Sequence, residues 1–156
     1  MRCMYEMHVR EEAAMDLRTK FPRSPKEKLD GYVHVPRIID KARAHNAGTL
    51  GEYIYNCPMD QSWFQLSGIA ADAFAEAVKT RDDRQMAEWI HQRTKPHSKD
   101  EIEAWNRTLL SRTPSSPESQ QRFLATRQKL APNRTDITTW PDLIDLEEGR
   151  PVPARG

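Results

Sequence analysis

Apolar residues fall in short clusters along the chain, and their spacing predicts helices for most of its length. Ile38, Ile39 and Ala42 mark one side of a helix that opens at Pro36 and stops at Gly48, a residue suited to the left-handed conformation of a helix end. Trp63, Phe64 and Leu66 follow Asp60, a suitable cap, and Gly68 ends that helix. Ile69, Ala73, Phe74, Ala77 and Val78 recur at the spacing of a core-facing helix. Met86, Trp89 and Ile90 repeat it after an acidic start at Asp82 and Asp83. Ser98 and Glu101 form a capping-box pattern ahead of Ile102, Trp105 and Leu109. Residues 114–117 turn into a helix with Phe123, Leu124 and Leu130 as a weaker stripe. Thr139 caps a last helix with Leu143, Ile144 and Leu146, ended by Gly149.

Near the N-terminus, Ser24, Pro25 and Glu27 read as a helix start, with Gly31 as its stop. Residues 32–35 alternate, are rich in β-branched side chains and precede a proline, so they read as extended. Residues 52–55 also read as extended, and the two segments suit a two-stranded ribbon. The expected fold is mainly α: a compact bundle of about seven short helices with at most one small β ribbon. Residues 1–15 are expected to be a poorly ordered extension, with Met15 an alternative start of translation. Residues 16–150 form a single domain, and 151–156 a flexible tail.

Composition narrows the functional classes. With 156 residues, the chain can bury a core without disulfides or metals. Mean hydropathy is low, at −0.84, but the clustering of apolar residues argues for a folded chain. A net charge of +1 supplies no long-range attraction for nucleic acid or anionic lipid. The tryptophans are not interleaved with a basic run, which also argues against nucleic-acid stacking. No segment approaches the roughly 20 apolar residues of a membrane span, and the first residues lack a secretory signal's apolar centre. A cytoplasmic location is therefore the expectation. Cys3 and Cys57 have no zinc spacing, and phosphate-binding, dinucleotide and nucleophile-elbow glycine motifs are missing. No metal or other cofactor is implied.

The densest chemistry lies in residues 36–58, with Arg37, Asp40, Lys41, Arg43, Glu52, Tyr53, Tyr55 and Cys57. Charges three and four apart on a helix share a face. Such runs are usually solvated, ion-paired surfaces. The functional reading is an anion clamp built from Arg37, Lys41 and Arg43, with Gly48 and Gly51 folding Glu52, Tyr53 and Tyr55 back over the helix. Asp40, Glu52 and Asp60 are candidate acid/base groups, and Tyr53 and Tyr55 candidate hydrogen-bond donors. Cys57 is either a small buried hydrophobe or a nucleophile at a loop-to-helix junction, with His34 and His45 the nearest histidines in sequence. His8, His91 and His97 read as surface residues. The acidic run 134–150 carries Asp142 and Asp145 on one helix face. These carboxylates suit a helix N-terminus better than a magnesium site, since the spacing matches no defined metal loop. Trp140 reads as core or as a pocket wall.

Residues 36–44, 51–60, 105–106 and 134–150 together resemble a bacterial family of unknown function, the domain-of-unknown-function family 5069. The resemblance spans residues 15–150, with Met59 standing where leucine is expected. It implies a small, mostly helical cytoplasmic protein and no particular activity. Since the family pattern includes both long motifs, it draws Arg134, Asp136 and Trp140 into the list of candidate ligand contacts. The leading expectation is a polar pocket for a small anionic metabolite, with cofactor-independent proton transfer of the lyase or isomerase type. The alternative is a non-catalytic interaction module using the charged face from Arg37 to Arg43. A homodimer is compatible with either.

Overall fold

The computed structural model describes residues 15–154, so nearly all of the expected N-terminal extension, with Cys3 and His8, lies outside them, as do residues 155 and 156. Among the described residues there are seven helices and one two-stranded antiparallel sheet. The strands are β1 (Lys28–Leu29) and β2 (Tyr32–Val33). The helices are α1 (Val35–Ala47), α2 (Pro58–Ser67), α3 (Ala71–Val78), α4 (Asp83–Arg93), α5 (Lys99–Leu110), α6 (Pro117–Leu130) and α7 (Trp140–Glu147). The fold is mainly α, as the periodicity predicts. No helix among the described residues is long and apolar enough to cross a membrane.

Two local expectations are corrected. The predicted helix after Ser24 is a single turn. Its capping contacts do form, with Lys26 N–H donating to Ser24 Oγ at 3.1 Å and Ser24 N–H to Glu27 Oε2 at 3.2 Å. The chain then leaves for a hairpin, because Asp30 and Gly31 both have positive φ, 50° and 84°. That pair is the signature of a tight hairpin turn whose twist matches the strands. The ribbon therefore pairs Lys28 with Val33 and Leu29 with Tyr32, and residues 52–55 form no strand. Asn106 on α5 clamps the hairpin, accepting from Val33 N–H at 3.1 Å and donating to the Gly31 carbonyl at 2.8 Å. Trp105 packs edge-on against Tyr32, with centroids 6.3 Å apart.

The main core gathers Ile38, Ile39 and Ala42 of α1 with Trp63, Phe64, Phe74, Val78, Met86 and Ile90. Trp63, Phe64 and Phe74 meet edge to face at 5.5–5.6 Å, the arrangement ring quadrupoles favour. A smaller cluster of Phe123, Ile137, Leu143 and Val152 lies between α6 and α7. Leu124 and Leu130 of the predicted α6 stripe are exposed, and Phe123 alone of that helix is buried. Val152 is buried and its carbonyl accepts from Arg134 at 2.8 Å, so the expected tail is tied to the domain at this point. Helix α1 is the central element: ten consecutive residues, 35–44, are buried.

Candidate active site at the foot of helix α1

The burial of α1 includes its charges. Arg37, Lys41 and Arg43 are only 5%, 3% and 7% exposed. Each has a carboxylate partner, as buried ions require, although that of Arg43, Asp83, is itself half-exposed. Arg37 forms a fork with Glu148, at 2.8 and 2.9 Å. Lys41 Nζ sits 2.7 Å from Asp60. Arg43 lies 3.1 Å from Asp83. Asp40 accepts three bonds from Arg23, at 2.8, 3.0 and 3.1 Å, and Arg23 also reaches Asp83. The three cations of the expected clamp thus address three separate stations rather than one ligand.

At the first station, α1 meets the acidic C-terminal motif. Glu148 accepts from Arg37, from the Tyr53 hydroxyl at 2.8 Å and from Arg150 at 2.6 Å. Burial alone would raise its pKa, but the Arg37 fork, Tyr53 and Arg150 hold it below the usual carboxylate range. Burial and then the same carboxylate push the Tyr53 phenol up, so it stays a neutral donor. The Arg37 guanidinium also lies 5.5 Å from the Tyr53 ring centre.

These groups floor a pocket of about 720 Å³. Its far wall is the segment carrying Leu17, Arg18, Lys20 and the exposed Phe21. Gly51 permits the close approach of that wall: its φ is 60°, and a Cβ there would lie 3.2 Å from the Leu17 carbonyl oxygen. Glu52 and Glu147 complete the rim. Glu147 makes no hydrogen bond or ion pair among the described residues. Partial burial, and then repulsion from Glu148, raise its pKa, with Arg37 opposing. Lys20 has no ion-pair partner there either.

The second station joins His34, Lys41, Cys57 and Asp60. Asp60 Oδ1 lies 2.7 Å from His34 Nε2. Its Oδ2 receives Lys41 and the N–H groups of Asn56, at 3.0 Å, and Cys57, at 3.3 Å. Burial would raise this carboxyl, yet His34 and Lys41 hold it at about 2. Burial first, against the pull of Asp60, lowers His34, so the imidazole is neutral. His34 also has φ 74°, a left-handed conformation costly for a non-glycine residue, roughly 1–2 kcal/mol. Cys57, not Asp60, is the N-cap of α2, and Asp60 takes the third helical position. The Cys57 thiol is free, partly buried and 3.3 Å from Lys41 Nζ, and no histidine among the described residues hydrogen-bonds to it.

The remaining candidates lie elsewhere. Tyr55 donates its hydroxyl to the Ala71 carbonyl at 2.7 Å and stacks on His45. Arg134 and Asp136 pair with each other at 2.9 Å, and Trp140 packs edge-on against Phe123, so all three belong to the α6–α7 cluster. Lys26 Nζ sits 2.7 Å from Asp142 and 3.2 Å from Asp145, where the magnesium reading needs a metal. Among the described residues no three His, Cys, Asp or Glu side chains are grouped to hold one. The residues that sequence reasoning missed are Glu147, Glu148, Arg150 and Lys20, while His34 enters it only as one of the two histidines nearest Cys57. Glu147, Glu148 and Arg150 stand within the acidic run 134–150, but nothing in its spacing distinguishes them.

No protein of curated function matches the chain. The family described as Domain of unknown function (DUF5069) matches residues 19–150 of its 156 residues, and the chain belongs to that family.

Proposed function

We propose that the 720 Å³ pocket binds a small anionic metabolite and that Glu147 moves a proton to or from it. The observation that carries this reading is the adjacent pair Glu147 and Glu148. Glu148 is held as a carboxylate by three donors, while Glu147, exposed at the rim, has no partner among the described residues and a pKa raised by partial burial and by Glu148. Neighbouring carboxyls pushed apart in this way have the properties of an acid/base group and its fixed electrostatic partner. Lys20 on the facing wall supplies positive charge for the ligand's anionic group, whereas Arg18 beside it is paired with Asp16 at 3.0 Å. Arg37, oriented by Glu148, supplies its remaining N–H groups at the floor, while the Tyr53 proton stays with Glu148 and its oxygen can accept. Leu17 and Ile144 supply the apolar surface that excludes water around a carbon centre. The chemistry is removal of a proton from carbon by the Glu147 carboxylate and its return from the carboxylic acid, as isomerisation or elimination requires. The interaction-module alternative needs an exposed face from Arg37 to Arg43, and the burial of those side chains favours the ligand reading.

A thermal-shift screen against small carboxylates and phosphates tests binding, because a ligand of the native state alone raises the melting temperature. A binder is then incubated with the protein in D2O. Deuterium entering a carbon-bound position, and ceasing in Glu147→Gln while binding persists, supports the reading. No stabilising acid in the screen, or exchange unchanged in Glu147→Gln, overturns it.

A further inference from the structure

A second pocket, of about 410 Å³, opens between the β1–β2 hairpin and the connection from α4 to α5. Asp30 and Tyr32 line it from the hairpin, His91 from α4, Lys95 and His97 from the connection, and Ile102 from α5. It shares no lining residue with the pocket at the foot of α1.

The wall bearing the lysine is built rather than incidental. Lys95 N–H donates to the Ser67 carbonyl at 3.0 Å, and His97 Nε2 to the Leu66 carbonyl at 2.9 Å, which fastens the connection to the end of α2. The Lys95 stem lies on bare backbone at Gly68, where a Cβ would come within 2.8 Å of Lys95 Cε. The stem is thereby placed, while its ammonium has no carboxylate partner among the described residues.

Tyr32 is the second observation. Its residue is 3% exposed, with its ring edge-on to both Trp63 and Trp105. Burial is confined to the ring, and the hydroxyl oxygen stays open to the pocket. Here the hydroxyl makes no hydrogen bond among the described residues, and the residue lines the pocket. Burial of the ring, then Asp30 and Glu101, keep the phenol protonated, so it offers a donor to the pocket. Asp30, held at φ 50° by the hairpin turn, lies 3.3 Å from His91 Nδ1. That contact leaves His91 Nε2 as a further polar group.

We infer that this pocket is a binding site for a small monocarboxylic acid. The Tyr32 hydroxyl and the Lys95 ammonium are two donors on one pocket, the number a single carboxylate uses, and Ile102 and Pro96 offer apolar contact to its carbon chain. A phosphate dianion fits less well, since it would bring more charge against Asp30 and Glu101 with no further cation to meet it.

The test is a heteronuclear NMR titration of the full chain with butyrate, benzoate and inorganic phosphate. Butyrate or benzoate should shift signals of residues 30–32 and 91–97, with phosphate weaker. Tyr32→Phe, which keeps the packed ring, and Lys95→Met, which alters a surface side chain, should each weaken carboxylate binding about tenfold, the worth of one good hydrogen bond or charge contact. Unchanged melting temperatures in both variants would show that the loss is local. Three results overturn the proposal: no carboxylate shifts these signals, affinity is unchanged in both variants, or phosphate binds more tightly than either acid.

Discussion

Helices α1 and α6 are nearly equal in length, 13 and 14 residues, and both are polar in composition, yet they occupy opposite environments. In α1 all residues from 35 to 44 are buried, including three cations and Asp40. In α6 only Phe123 is buried, and its two other large apolar residues are exposed. The difference lies in what faces each helix. Around α1, Arg23, Asp60, Asp83 and Glu148 come from four other segments and meet every charge. Nothing comparable surrounds α6. Charge along a helix therefore says little about burial until its partners are known.

The largest expected effect breaks a pair under α1. Asp60→Ala leaves Lys41 and His34 facing each other in a dry site, a loss of about 3–5 kcal/mol. At roughly 2–4 °C per kcal/mol for a chain of this size, the melting temperature should fall by about 10 °C. Denaturant unfolding checks the free energy, and a loss below 1 kcal/mol would mean the pair is solvated.

Acid should unfold the protein through the same helix. His34 titrates lower in the folded state than its ordinary 6.5, so the unfolded chain binds the proton first and stability declines as pH falls below about 6.5. Asp60 adds a second decline between about 4 and 2, worth about 2 kcal/mol. Melting temperature against pH should show both. His34→Asn, which tolerates the left-handed backbone, should remove the upper one.

Gly51→Ala should cost about 1–2 kcal/mol, because φ is 60° and the new methyl presses on the Leu17 carbonyl. Ligand-induced stabilisation at the first pocket should weaken as its wall is displaced. The smallest effect belongs to α6: Leu124→Gln should change unfolding free energy by less than about 0.5 kcal/mol, as at other exposed positions. A larger loss there would reveal a packed surface and erase the contrast with α1.

Helix order was legible because caps and stops are local. Gly48 and Gly68 take left-handed conformations, and Ser98 and Thr139 cap where the pattern placed them. The hairpin was misread because two local signals compete: Ser24 begins a turn as a cap does, but Asp30–Gly31 and the distant Asn106 decide the outcome. The site was half legible. Arg37 and Tyr53 do meet the acidic motif, through Glu148. That Lys41 and Arg43 turn to Asp60 and Asp83 depends on helix packing, which spacing within one segment does not encode.

Carboxyl-resolved 13C NMR across a pH titration addresses the proposed pairing of Glu147 with Glu148 most directly. The account predicts that Glu147 titrates above the ordinary glutamate value of 4.5 and Glu148 below it, with the separation shrinking in Tyr53→Phe as Glu148 loses a donor. Two carboxyls titrating together near 4.5 would contradict it.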